Sequence, residues 1–206
     1  MRDEKYRHTF WQLTKEGASA IGVDNYVPVS EKSVANFPHQ FGLIDIMAGL
    51  YFPFRKVYDI NIKYPSTKDS LDGYKPDAIV QYQQKVGNKR YDFIVEFERT
   101  RTPKAIFDEK IKINEKIKNF KKFGLSDKTK FLYVYTYEHF DVTKRPVEYP
   151  DYKGMIRQVE KQFENLMRIV SKLPDYKYRF AILHHFKEFD RTVWVMPSGR
   201  KTKIIS

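Results

Sequence analysis

A Gly-Asn turn signal between two β-prone runs constrains the fold of this chain more than any other sequence feature. Gly87 and Asn88 tolerate the positive φ angles of a tight turn, and the stretches 77–83 and 90–98 on either side are rich in β-branched and aromatic residues. Because a short turn joins them, the two runs are predicted to pair as an antiparallel hairpin.

Acidic side chains are expected to gather at one end of this hairpin. With the turn centred near Gly87, Asp77 lies opposite Glu96 or Phe97, and cross-strand neighbours have Cβ atoms about 4.5–5.5 Å apart. Since side chains alternate along a strand, Glu96 and Glu98 point away from the apolar face that carries Phe97. Like charges this close repel, and a hard divalent cation such as Mg²⁺ or Mn²⁺ offsets the repulsion and polarises a phosphate.

Basic residues follow the acidic strand directly. Arg99 and Arg101 suit bidentate phosphate contacts, and they equally suit salt bridges to Glu96 and Glu98 on a solvated strand face. The sequence leaves both interpretations open. Two other basic stretches are either solvated surface or a track for a phosphate backbone. They contain the DNA-binding candidates Lys118, Lys121 and Lys122, and the tail residues Arg200, Lys201 and Lys203.

Two residues on predicted helices are candidates to complete the site. Lys110 lies in the middle of the inward apolar stripe of a helix predicted over 103–123. It either snorkels to solvent or reaches the carboxylates and orients an attacking water. Asp45 lies at the edge of the apolar stripe of a helix predicted over 37–51, as a surface aspartate or a further metal ligand. His39, on the same helix, is interpreted as structural or capping rather than as a ligand.

The order of elements predicts an α/β (α+β) chain, a mixed central sheet flanked by helices. The chain divides into an N-terminal appendage, 1–30, and a domain, 31–206, with its core at about 37–137 and a C-terminal helix and strands over 150–198. The predicted helices cover 37–51, 103–123 and 152–173, and the strands lie near 57–62, 77–83, 90–98, 131–137, 178–184 and 192–196.

Charge and composition narrow the class of protein. Lys and Arg number 38 against 26 Asp and Glu, a net charge of +12, so a polyanion is the expected partner and DNA the leading one. The alternative is a solubility charge spread over the surface. The absence of cysteine excludes disulfides, thiolate metal sites and a cysteine nucleophile. No signal peptide and no apolar run of about 18 residues occurs, so we expect a cytoplasmic protein with no membrane partner.

The site residues carry a resemblance to a known family. Its motifs are Pro76-Asp77, the strand ending Val95-Glu96-Phe97-Glu98-Arg99, and Lys110 on the next helix. They resemble the replication-relaxation family of plasmid and mobile-element proteins. The spacing of His39, Asp45 and Leu50 resembles the spacing in that family's first core helix. The stretch 13–22 resembles the segment that follows the winged helix in that family. The resemblance covers about residues 9–114.

This resemblance implies a PD-(D/E)XK restriction-endonuclease-like core, association with DNA, and a role in replication or copy control of a plasmid, phage or other mobile element. The element order helix–strand–strand–strand–helix–strand is also that of the nuclease core. A complete winged helix needs more residues than precede Leu13, so we expect 1–30 to be a remnant of one. The third position of the nuclease motif is normally lysine, where this chain has Glu98. Either Lys110 replaces that lysine, or the site has lost its chemistry.

Three functional hypotheses follow. In the first, the protein is a Mg²⁺- or Mn²⁺-dependent deoxyribonuclease: Asp77 and Glu96 hold the metal, Glu98 or Asp45 assists, and Lys110 orients the water. In the second, a catalytically inactive nuclease fold binds DNA as a replication or copy-control factor. In the third, the protein is a protein–protein adaptor. A homodimer is expected by analogy, because many nucleases of this fold act as dimers to cut both strands.

Overall fold

The computed structural model describes residues 2–3, 8–9, 37–65, 74–99, 111, 120–136 and 152–205. Within these ranges, the α-helices whose bounds are described are α1 (Phe37–Tyr51) and α2 (Tyr152–Val170), and 3-10 helices cover Phe120–Phe123 and Leu183–Glu188. The strands are β1 (Arg2–Asp3), β2 (His8–Thr9), β3 (Tyr58–Lys63), β4 (Ala78–Gln84), β5 (Arg90–Glu98), β6 (Lys130–Tyr135), β7 (Tyr178–Ile182), β8 (Trp194–Val195) and β9 (Lys201–Thr202).

Seven strands form one mixed sheet in chain order, from β3 to β9. The pairs β3–β4 and β4–β5 are antiparallel, β5–β6 and β6–β7 are parallel, and the last two pairs are antiparallel again. The predicted mixed α/β architecture is confirmed. Parallel neighbours need a crossover between them. In the β5–β6 connection, Ile111 is helical and buried.

The predicted hairpin is confirmed. β4 and β5 pair antiparallel with Ala78 opposite Val95, and the Gln84 N–H donates to the Lys89 carbonyl at 2.9 Å. Gly87 has a φ of 120°, a backbone conformation that only glycine adopts easily. The glycine therefore fixes the turn, and the turn fixes which residues meet across the two strands.

Both faces of the sheet are covered. On one face, α1 packs through Ile46, Met47 and Leu50; on the other, α2 packs through Val159, Phe163 and Leu166. We call these the α1 face and the α2 face. Residues of β5 alternate between them, so both sets of side chains are buried. The α1 face of β5 carries Phe93, Val95 and Phe97, and the α2 face carries Ile94, Glu96 and Glu98.

Helix α1 has the predicted bounds but a different buried stripe. Apolar spacing along the helix predicts a stripe that includes Ile44, Met47 and Leu50; Met47 and Leu50 are buried as predicted, but Ile44 is 58% exposed and Ile46 is fully buried instead. The buried residues include Gly42 and Gly49. A Cβ at Gly49 would lie 2.3 Å from the Phe186 carbonyl oxygen. Glycine on this face allows the helix backbone to approach its neighbours closely.

Two predicted boundaries are wrong. Residues Phe120–Phe123 form a 3-10 turn rather than the end of a regular α-helix, although Gly124 closes it with a φ of 69° as expected. The Gly124 and Leu125 N–H groups bond back to the Lys121 and Phe120 carbonyls, a Schellman-type end. The strand predicted over 178–184 ends at Ile182, because a 3-10 helix begins at Leu183.

That 3-10 helix changes the geometry of a histidine pair. On the strand predicted there, His184 and His185 would face opposite sides of the sheet. In the helix their ring centroids lie 4.3 Å apart.

In the parts of the chain that the structure describes, no helix is long and apolar enough to cross a membrane.

Gly49→Ala is expected to destabilise the fold. The added methyl group would meet the Phe186 carbonyl, a backbone atom that cannot move aside, and such overpacking costs about 1–3 kcal/mol. The free energy of unfolding, measured by urea denaturation, should fall by that amount. Ile44→Ala, at an exposed position of the same helix, is the control and should change it little. Equal stability of Gly49→Ala and wild type would contradict this packing.

Candidate active site

Asp77 and Glu96 lie together at one end of the β4–β5 hairpin, as the sequence predicted. Ala78 pairs with Val95 across the hairpin. Asp77 is the residue before Ala78 and Glu96 is the residue after Val95, so the two acids lie opposite each other. The Phe97 N–H donates to Asp77 Oδ2 at 2.8 Å. A backbone donor therefore holds the carboxylate of Asp77 against the end of β5.

The two glutamates of β5 are buried. Glu96 is 2% exposed and Glu98 is 5% exposed, and both lie on the α2 face. Their backbones pair with those of Tyr133 and Tyr135 on the parallel neighbour β6. The alternative interpretation, in which these acids lie on a solvated strand face, is wrong. Ionised groups avoid the interior unless other groups compensate their charge, so this end of the sheet must supply such groups.

Tyr74 is a hydrogen-bond partner of the buried Glu96. Its hydroxyl donates a short hydrogen bond to Glu96 Oε1, and its side chain is 6% exposed. Burial raises the pKa of Tyr74 far above its usual range, and the charge of Glu96 raises it further. The phenol therefore stays protonated and acts as a fixed donor to the carboxylate. No sequence signal pointed to Tyr74, because the residue lies outside any periodic segment.

The contact of His39 with Asp77 was not predicted from the sequence. Its Nε2 lies 3.1 Å from Asp77 Oδ1, across 38 residues of sequence, and its ring lies 5.2 Å from the Phe97 ring. The histidine side chain is 35% exposed and the aspartate side chain 25% exposed. Helix α1 thus contributes a side chain that reaches the end of the hairpin. Both oxygens of Asp77 have protein partners, and the carboxylate remains reachable from solvent.

The oxygen atoms at this end of the sheet are of the kind that binds a hard cation, but the described residues do not form a complete metal site. Carboxylate oxygens are the ligands that Mg²⁺ and Mn²⁺ prefer. Among the residues that the structure describes, however, no group of three or more His, Asp or Glu side chains is placed to hold a metal ion. Asp77 and Glu96 would therefore provide a two-carboxylate site that water, substrate or other residues complete.

Asp45 is partly buried on α1. Burial raises the pKa of its carboxyl group, and the positive charge of Lys187 opposes that rise. The partner whose charge acts on Asp45 therefore comes from the 3-10 helix Leu183–Glu188. Its role as a metal ligand remains a prediction.

The remaining candidates fall into two groups. Arg99, Lys121 and Lys122 lie within the described residues. Arg99 is partly buried just after β5, and Lys121 is 76% exposed and 3.3 Å from Asp127. An exposed pair of this kind contributes little to stability, so Lys121 is available to an anion. Lys110, Arg101 and Lys118 lie outside the described residues.

A third buried acid, Asp92, has a structural role. It accepts hydrogen bonds from Arg90 at 2.9 Å, Gln81 at 3.1 Å and the Ser126 N–H at 2.7 Å. Arg90 and Gln81 also donate to the Gly124 carbonyl. These bonds fasten the loop before β6 to the opposite end of the hairpin from Asp77. They fix the register of β5 and β6 on which the position of Glu96 depends.

Comparison with known proteins identifies no relative. No family model matches this sequence, and neither a curated protein nor a solved structure is significantly similar to it. The resemblance to the replication-relaxation family therefore remains a prediction carried by the motifs named above.

Tyr74→Phe is expected to destabilise the protein by about 1–3 kcal/mol. The change deletes the hydroxyl that donates to Glu96 and leaves a buried carboxylate with less compensation. The denaturation midpoint in urea measures the effect. Tyr176→Phe removes the same atom from a residue that is 76% exposed, and it should leave the midpoint unchanged. Equal midpoints for both variants would show that the hydrogen bond contributes nothing.

Proposed function

We propose that this protein binds DNA and hydrolyses its phosphodiester bonds with the help of a divalent metal ion, on a core of the PD-(D/E)XK type. The observation that carries the proposal is the juxtaposition of Asp77 with Glu96 at the end of β5. We further propose, from the motif resemblance alone, that it acts in a plasmid, phage or other mobile element.

The architecture supports this proposal. Helix α1, three antiparallel strands and a parallel fourth strand follow one another as in the nuclease core, with a helical residue, Ile111, in the crossover. Fold alone does not fix function. The order of helices and strands matters here because it brings Asp77 and Glu96 together at the end of β5.

The chemistry of the site supports it as well. A bound Mg²⁺ or Mn²⁺ would polarise the phosphate and lower the pKa of an attacking water. Asp77 and Glu96 would hold it. The Phe97 N–H and His39 orient Asp77, and Tyr74 orients Glu96. Fixed partners of this kind reduce the reorganisation that a reacting site would otherwise need.

Further roles complete the proposal. Glu98 or Asp45 would assist with the metal, and Lys110 would orient the water. Arg99, Arg101, Lys118, Lys121 and Lys122 would contact the DNA backbone, to which a net charge of +12 attracts the whole protein. Bidentate arginine contacts position a phosphate more firmly than lysine contacts do.

One observation favours the second candidate function, an inactive nuclease fold that binds DNA. Both oxygens of Asp77 already have protein partners, and Glu98 stands where the nuclease motif normally has lysine. A site built in this way can hold its shape without a metal ion. The protein would then act as a replication or copy-control factor.

Cleavage of supercoiled plasmid with Mg²⁺ or Mn²⁺ tests the proposal. Wild type should nick or linearise the plasmid, and Glu96→Gln should not, because the variant keeps an acceptor for Tyr74 and loses the charge that holds the metal. Glu164→Gln, the same change at an exposed position of α2, is the matched control and should cleave like wild type.

Two other outcomes are informative. Equal cleavage by wild type and Glu96→Gln would reject the assignment of this residue. If neither protein cuts but both shift DNA in a gel with EDTA present, the inactive DNA-binding fold is the better account.

A further inference from the structure

The end of the sheet opposite the carboxylates is basic. Strands β5, β6 and β7 run parallel, so their first residues lie at one end and Glu96 and Glu98 at the other. Strands β5 and β6 begin with Arg90 and Lys130, and the second residue of β7 is Arg179. Arg90 is neutralised by Asp92, at 2.9 Å. The other two cations have no such carboxylate bond among the described residues.

Arg179 is the unusual member of this group. It is 5% exposed, and its guanidinium donates through one nitrogen to the carbonyls of Asp175 and Tyr178. Its Nε has no hydrogen-bond partner within the described parts of the chain. A buried cation with an unsatisfied donor costs free energy, so an acceptor from outside these residues would stabilise it.

Asp175 does not neutralise Arg179 by a side-chain bond. Its two oxygens accept from Ser198, at 2.8 Å from the backbone N–H and 2.7 Å from the hydroxyl. These bonds lower the pKa of the Asp175 carboxyl group. They also fasten the turn at 196–200 beside the start of β7.

That turn brings a third cation to the same place. Arg200 contacts the Met196 sulfur at 3.5 Å, and its charge acts on both Asp175 and Arg179. Lys130 approaches from β6, because Leu132 pairs with Arg179 and Lys130 lies two residues earlier on the same face. Arg179 and Arg200 therefore share one carboxylate, Asp175, and Lys130 adds a third positive charge beside Arg179, so positive charge exceeds negative charge at this end of the sheet.

We infer that Lys130, Arg179 and Arg200 form a binding site for a phosphate group. A tetrahedral phosphate accepts several hydrogen bonds at once, and guanidinium donors match its geometry. The phosphate belongs either to a nucleic-acid backbone or to a small phosphorylated molecule. This site lies at the other end of the sheet from Asp77 and does not depend on any cleavage there.

Inorganic phosphate is the first probe. We expect it to raise the melting temperature of the full chain more than chloride does at equal ionic strength. Lys130→Met and Arg200→Met should each weaken phosphate binding about tenfold, the loss expected for one charged hydrogen bond. These partners are chosen because Arg179 is buried, and replacing it would perturb the fold. Lys172→Met, an exposed lysine after α2, removes the same charge and should bind like wild type.

A duplex oligonucleotide separates the two sources of phosphate. If the site takes a backbone phosphate, Lys130→Met and Arg200→Met lose about tenfold more DNA affinity than Lys172→Met, and the salt dependence of binding falls by about one ion. If it takes a small phosphorylated molecule, all three variants bind DNA alike while only the first two lose phosphate binding.

The inference is overturned if the site variants and Lys172→Met are indistinguishable with both probes. It is also overturned if phosphate has no more effect on wild type than chloride and DNA affinity responds to total charge alone. Loss of plasmid cleavage on its own would leave this site unaffected, because cleavage reports on Glu96.

Discussion

The register of the β4–β5 hairpin decides which side chains of β5 face α1 and which face α2. Side chains alternate along a strand, so a slip of one residue would exchange every inward and outward position of β5. With Ala78 opposite Val95, the phenylalanines of β5 face α1 while Glu96 and Glu98 face α2. Gly87 at the turn and Asp92 at the base of β5 hold this register. The candidate site therefore follows from interactions that lie away from it.

Buried acids at the two ends of β5 have different surroundings. Asp92 is neutralised by Arg90 and fully bonded, which is the arrangement expected for a structural carboxylate. Glu96 receives a hydrogen bond from the Tyr74 hydroxyl, and Asp77 lies across the hairpin from it. The hydroxyl fixes the position of the Glu96 carboxylate, and carboxylate oxygens are the ligands that hard divalent cations prefer.

Much of the fold could be predicted from sequence because its signals are local. The Gly-Asn turn, the alternation in β5 and the apolar run of β6 gave the strands and their order, and the hairpin arithmetic brought Asp77 to Glu96. Burial of Glu96 could not be predicted, because alternation shows which face a residue occupies but not that a helix covers that face. The contacts of His39 with Asp77 and of Tyr74 with Glu96 were not predicted for a related reason: the partners are 38 and 22 residues apart, and no periodicity connects them. The exposure of Ile44 was also not predicted, because apolar spacing alone does not show where the edge of a helix's buried face lies.

A direct titration with Mn²⁺ tests the proposal that Asp77 and Glu96 form a metal site. Binding is measured as the loss of the electron paramagnetic resonance signal of the free ion. We expect wild type to bind Mn²⁺, and we expect Glu96→Gln and Asp77→Asn each to weaken binding at least about tenfold, the loss expected when an interaction with a charged group is removed. The same Mn²⁺ affinity in wild type and both variants, or no binding by wild type, would contradict it.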